Sequence, residues 1–235
     1  HLKHTKGKSL GGKCMKKNLT ELVFILDRSG SMHGLEKDTI GSFNSMIDKQ
    51  KEVDGEALIT TILFNHTNKV IHDRIDLKDM SPMTGKDYVT GGSTALLDTI
   101  GHAICHIANI HKYSRKENLP EHTMFIIITD GMENSSHKYD CGMIRQLIEV
   151  QKDKYGWEFM FLGANIDAVD VASHIGIDES RAVKFNCDSE GTELNYEVLS
   201  DAICVLREHS YISKDWKNRI DNDFEKRGKS HNRKN

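Results

Sequence analysis

The chain has 235 residues, 37% of them hydrophobic and 29% charged, with a formal net charge of −3. That is the composition of a soluble globular protein long enough to bury one sizeable core, and it argues against a protein that binds polyanions through bulk charge. The five cysteines, Cys14, Cys105, Cys141, Cys187 and Cys204, are odd in number and never spaced as CxxC, which speaks against a disulfide framework or a zinc knuckle.

No apolar run approaches the ~20 residues needed to cross a bilayer. The only apolar run near the basic N-terminus, Leu22 to Leu26, is too short for a signal-peptide core. The expected location is the cytoplasm, with free thiols in a reducing compartment and no membrane partner. Met15 in "MKKNLTELVF" reads as a start, so residues 1–17 are set apart as a basic leader or upstream sequence. Their "GKS" is not a P-loop, because Leu2 stands where that motif needs glycine.

Leu22 to Leu26 has no polar alternation and reads as a fully buried strand. Residues 35–51 carry Leu35, Ile40, Phe43, Met46 and Ile47 at helical steps. "EALITTILF" reads as a strand, and the alternating "NKVIHDRIDL" as a half-exposed edge strand joined to it by a hairpin loop at 65–68. A loop rich in Gly, Ser, Thr and Asp follows at 80–94. Helical periodicity returns over 96–111, and "TMFIIIT" at 123–129 is a second continuous apolar strand. Helices are expected over 140–154, 166–175 and 193–209, with strands at 157–162 and 181–185. The alternation predicts a three-layer α/β/α domain over 18–210 with a mainly parallel sheet covered on both faces. Residues 211–235 are polar and basic with little to bury, and read as a helix fraying into a tail.

In such sheets functional groups gather beyond the carboxyl ends of the strands. "LVFILDRSGSM" runs a buried strand into Asp27 and then offers Ser29 and Ser31 at alternate positions. "FIIITDG" does the same with Asp130, and "TGGSTAL" presents Thr94 before a helix. If the two apolar strands are neighbours, both carboxylates face one crevice. Two carboxylates and three hydroxyls form an all-oxygen set, which suits Mg²⁺ or Mn²⁺. An octahedral ion held there still has a position open for water or for an outside oxygen, and a partner's carboxylate would be the natural occupant.

At these residues the chain resembles the von Willebrand factor A domains, whose metal-ion-dependent adhesion site (MIDAS) has the pattern of "DRSGS", "GGSTAL" and "ITDG". The resemblance implies Asp27, Ser29, Ser31, Thr94 and Asp130 as metal residues, some through water. It also implies a Rossmann-like fold whose central sheet has one antiparallel edge strand, and metal-bridged binding of an acidic residue on a protein partner. Stand-alone size and the absence of a signal resemble the cytoplasmic bacterial proteins of the tellurium-resistance-associated group. Ser93 departs from the pattern, since glycine is common there, and could share Thr94's role.

Arg28, Ser93, Glu133 and Asn134 are candidate rim residues for partner binding; Arg28 could attract an acidic group. Ser29 or Ser31 could instead cap a helix, and Ser135 or Ser136 could do so after Asp130. His102 and His106 share a helix face at zinc spacing, but Ala103 breaks the HExxH pattern. The basic end lacks interleaved aromatics, which argues against nucleic acid as a partner. The expected function is therefore a non-enzymatic, metal-dependent interaction module. The alternatives are a Mg²⁺-dependent phosphohydrolase, for which Ser29 stands where a second aspartate belongs, a serine hydrolase without its elbow motif, and a scaffold that binds independently of metal.

Overall fold

The computed structural model describes residues 16–231, with side chains over 18–227. Met15 and the rest of the expected leader up to it lie outside these residues, as do 232–235 of the expected tail. The chain runs β1 (Lys16–Asp27), α1 (Glu36–Lys51), β2 (Glu56–Phe64), β3 (Asn68–Asp76), α2 (Leu96–Tyr113), β4 (Pro120–Thr129), α3 (Cys141–Tyr155), β5 (Glu158–Gly163), α4 (Ala168–His174), β6 (Ala182–Lys184), α5 (Ser189–His209) and α6 (Asn218–His231). Among the described residues six strands form one sheet in the order β3-β2-β1-β4-β5-β6. All pairings are parallel except β2 with β3, so the antiparallel edge strand is β3.

Side chains alternate across the pleat, so each central strand feeds two cores. Leu22, Phe24 and Leu26 of β1 join Met124, Ile126 and Ile128 of β4 under Phe43 and Met46 of α1 and Leu199 and Ile203 of α5. Val23, Ile25, Phe125 and Ile127 point the other way, against Ile100 and Ile104 of α2 and Ile144 and Ile148 of α3. Burial on both faces is why β1 and β4 read as unbroken apolar runs.

β1 is longer than its apolar run because Glu21 sits inside it, fully buried. Its carboxylate meets Arg74 Nε and His111 Nε2, each at 2.5 Å. Arg74 holds a left-handed φ of 51° at a register shift of β3, and this bulge turns it in towards β1. α5 starts four residues earlier than its apolar spacing predicts, because Asp188 caps it by accepting from Gly191 N at 2.8 Å.

The segment beyond 210 buries more than its composition predicts. Ile212 and Ile220 are buried, and Trp216 packs against the core and donates from Nε1 to Ser180 O at 2.8 Å. α6 then lies against α5 and β6, with Asn186 Nδ2 bonded to Asp223 and Arg227 bonded to both Asp223 and Asp188. Three apolar side chains spaced over nine residues do not stand out in a polar sequence, yet each finds a seat. Among the described residues no helix is long and apolar enough to cross a membrane.

Candidate metal site

The strand order reverses between β1 and β4, which makes their carboxyl ends the topological switch point of the sheet. Asp27 ends β1 and Asp130 follows β4, and the two are 2% and 1% exposed. Asp27 is held on three sides. Its Oδ1 accepts from Ser29 N at 2.7 Å and its Oδ2 from Thr129 Oγ1 at 2.6 Å. The buried Tyr88 hydroxyl donates to its carbonyl oxygen.

Ser29 stands at the head of a short 3-10 turn, Gly30–Met32, but its hydroxyl makes no capping bond. Instead Ser29 Oγ lies 3.1 Å from Ser31 Oγ, and Ser31 Oγ donates to Asp130 Oδ1 at 2.5 Å. The two serines therefore link the two carboxylates rather than cap a helix. Gly131 shows where the third hydroxyl lies. A Cβ placed there would stand 3.1 Å from Thr94 Oγ1, 3.4 Å from Ser31 Oγ and 3.7 Å from Ser29 Oγ. Three hydroxyls from two loops thus surround one point beside Asp130, and only glycine leaves that point open.

Thr94 faces inward because its loop is pinned. Gly92 has a φ of 78°, and a Cβ on it would stand 2.2 Å from the His66 ring, so the loop can pass there only as glycine. Gly30 N donates to Gly92 O at 3.0 Å, and Asn65 Nδ2 donates to Gly91 O at 2.7 Å. Thr94 is buried while Ser93 beside it is exposed.

The other expected rim residues are engaged internally. Asn134 Oδ1 accepts from Thr94 N at 2.9 Å, and Asn134 N donates to Thr94 O at 3.0 Å. Glu133 Oε2 accepts from Leu97 N at 2.9 Å, and Ser136 Oγ accepts from Asp98 N at 2.9 Å. The first turn of α2 is thereby capped from a different loop, which leaves the Thr94 hydroxyl unused by its own helix. Ser136 caps α2 rather than the helix that follows it. Arg28 reaches Val89 O at 3.3 Å and Thr67 Oγ1 at 3.4 Å, tying the neighbouring loops together. The open rim is formed by Gly30, Ser31, Gly92, Ser93 and Met132, the last 72% exposed.

Burial pushes the Asp130 carboxyl above the usual carboxylate range; the Ser31 hydrogen bond opposes this and the Asp27 charge adds to it. Cys187, from the loop between β6 and α5, donates to Asp130 Oδ2 at 3.5 Å. Burial, then the nearby Asp130, push its thiol up to about 12, so it acts as an S–H donor. Sequence reasoning missed Thr129, Tyr88, Asn65 and Cys187. Only Thr129 carried a local signal: a hydroxyl closing an otherwise apolar run.

His102 and His106 are not brought together on an ion: His106 pairs with Asp73 at 2.8 Å, and His102 meets Asn68 at 3.3 Å. Among the described residues no group of three or more His, Cys, Asp or Glu side chains could share a metal. The Asp27 cluster is of another kind, with two carboxylates and three hydroxyls.

No protein-family model and no curated protein matches the chain. Solved structures do. The von Willebrand factor domain of the type V pili tip protein Mfa5 from Porphyromonas gingivalis is 12% identical, with a TM-score of 0.57 over 83% of this chain and 98% of that one. The fold is that of a von Willebrand factor A domain. Proximal thread matrix protein 1 from the mussel byssus shares this von Willebrand factor A likeness at 14% identity and a TM-score of 0.55, over 80% of this chain and 47% of that one. The chain thus spans about half the length of the mussel protein. A second structure of that protein, with a zinc-occupied MIDAS motif, has 15% identity and a TM-score of 0.54, covering 81% of this chain and 46% of that one. At these identities the likeness carries the fold and nothing further.

Proposed function

We propose that this chain is a metal-dependent protein-interaction module of the MIDAS kind, in which Asp27, Ser29, Ser31, Thr94 and Asp130 hold one divalent cation, some of them through water. The observation that carries the reading is the convergence of three hydroxyls around a point that only Gly131 leaves open, beside two hydrogen-bonded buried carboxylates. All-oxygen donors favour Mg²⁺ or Mn²⁺. These residues would hold such a cation, which would supply a Lewis-acid position for an Asp or Glu carboxylate of a protein partner. The chain's own residues supply the frame: Asn134 and Glu133 hold Thr94, Thr129 and Tyr88 hold Asp27, and Ser31 and Cys187 hold Asp130. Both Asp27 oxygens already accept hydrogen bonds, which favours a holding role over that of a nucleophile in phosphoryl transfer. The free thiols Cys105, Cys141, Cys187 and Cys204 fit a reducing cytoplasm, as in the tellurium-resistance-associated proteins the motifs resemble.

Affinity capture from a lysate is expected to retain partners in Mg²⁺ and lose them in EDTA, and to lose them in both for Asp27→Ala. Capture that ignores EDTA would instead favour a face remote from the site.

Cys187→Ala removes the donor from Asp130 Oδ2 and is expected to weaken Mn²⁺ binding by about 10-fold, at the low end of outer-shell effects. Cys187→Ser keeps a donor and is expected to recover most of that loss. Calorimetric titration of the three proteins decides the point, and identical affinities in all three would remove Cys187 from the site.

A further inference from the structure

Beside Asp27, on the α1–α5 side of the sheet, lies a small, partly enclosed cavity that Asp27 helps to line. Leu26, Met32, Ile128 and Phe185 give it apolar walls, while Thr39 of α1, Asn195 of α5 and Tyr88 bring polar groups to it. Space for the centre of a water molecule amounts to about 10 Å³, close to what one water requires. Two lining residues carry polar atoms that have no hydrogen-bond partner: Thr39 Oγ1 and Asn195 Oδ1. These residues are 2% and 1% exposed, so bulk solvent does not serve them. Tyr88 gives its one hydroxyl proton to the Asp27 carbonyl, so it can meet the Thr39 hydroxyl only as an acceptor.

A buried polar atom left unpaired is destabilising by about 1–3 kcal/mol, and such atoms are rare in native proteins. Two of them, on different helices, border the same water-sized cavity. We propose that this cavity is a binding site for a single ordered water, which bridges Thr39 of α1 to Asn195 of α5 under the Asp27 loop. A water can donate to Asn195 Oδ1 while donating to or accepting from the Thr39 hydroxyl. The space is too small for a larger ligand. Tyr88 borders the same space and holds the Asp27 carbonyl, so the water belongs to the support of that loop whether or not a metal is bound.

A crystal structure fine enough to show ordered solvent is expected to place one peak about 2.5–3.0 Å from both oxygens. An empty cavity, or the two side chains turned onto other protein groups, overturns the proposal. In solution, magnetic relaxation dispersion of the water signal counts long-lived internal waters. Thr39→Val combined with Asn195→Leu is expected to lose one relative to wild type, and an unchanged count overturns the site. Thr39→Ser keeps the hydroxyl and is expected to keep the wild-type count, so the test stands even if the double variant does not fold. A water lost in Thr39→Ser counts against the bridge.

Discussion

Asp27→Ala is expected to lower Mg²⁺ and Mn²⁺ affinity by more than about 100-fold. Residues that only orient a metal ligand are worth about 10–100-fold, and Asp27 stands at the centre of the constellation with full negative charge. It is also the group on which the others are assembled. Ser29 takes its direction from the Asp27 Oδ1 bond, Thr129 ties Asp27 to the end of β4, and Tyr88 fixes its main chain. Asp27→Asn is the companion experiment, because the amide keeps the shape and an acceptor for Ser29 N while removing the charge. Calorimetric titration measures the affinity and circular dichroism checks that the fold survives. Asp27→Asn binding Mn²⁺ as tightly as wild type would sink the metal reading outright.

Glu21→Gln is expected to destabilise the protein by about 3 kcal/mol, near the low end for breaking a buried ion pair. Glu21 is fully buried and meets both Arg74 and His111, which are 20% and 15% exposed and so keep some access to water. The amide cannot answer two donors with charge, and Arg74 is held by its bulge. For a chain of this size the loss corresponds to roughly 6–12 °C in Tm. Thermal unfolding followed by circular dichroism tests it, and a Tm within about 2 °C of wild type would show that the triad contributes no net stability. Replacing all three partners with apolar residues of similar volume is expected to recover much of the loss, since the penalty arises from the unpaired survivors.

Where sequence and structure part company, the residues involved act over long distances in the chain. Glu133 and Asn134 looked like loop polarity available to a partner, but the turn after β4 folds back onto the start of α2 and their acceptors meet Thr94 N and Leu97 N. Cys187 lay among scattered cysteines with no spacing to mark it, and it reaches Asp130 only because β6 and β5 are neighbours in the sheet. Arg28 sits within the metal motif itself, yet its direction depends on Val89 and Thr67, neither of which local pattern connects to it.

What the amino-acid sequence determined by itself was the order of elements, the double burial of β1 and β4, and the five oxygen-bearing side chains of the loops that follow β1, precede α2 and follow β4. These follow from short-range rules: an apolar run with no alternation must be covered on both faces, and glycines permit a sharp turn wherever they fall. Only the tertiary structure decided that Ser29, Ser31 and Thr94 meet around one point beside Gly131, that Ser93 turns away, that Glu21 lies fully buried between Arg74 and His111, and that Ile212, Trp216 and Ile220 secure the last helix. The physical reason is that hydrogen bonds and buried charge pairs need atoms tens of residues apart to be held about 3 Å from one another, to within a few tenths of an ångström, and those distances exist only once the sheet has set the register of its strands.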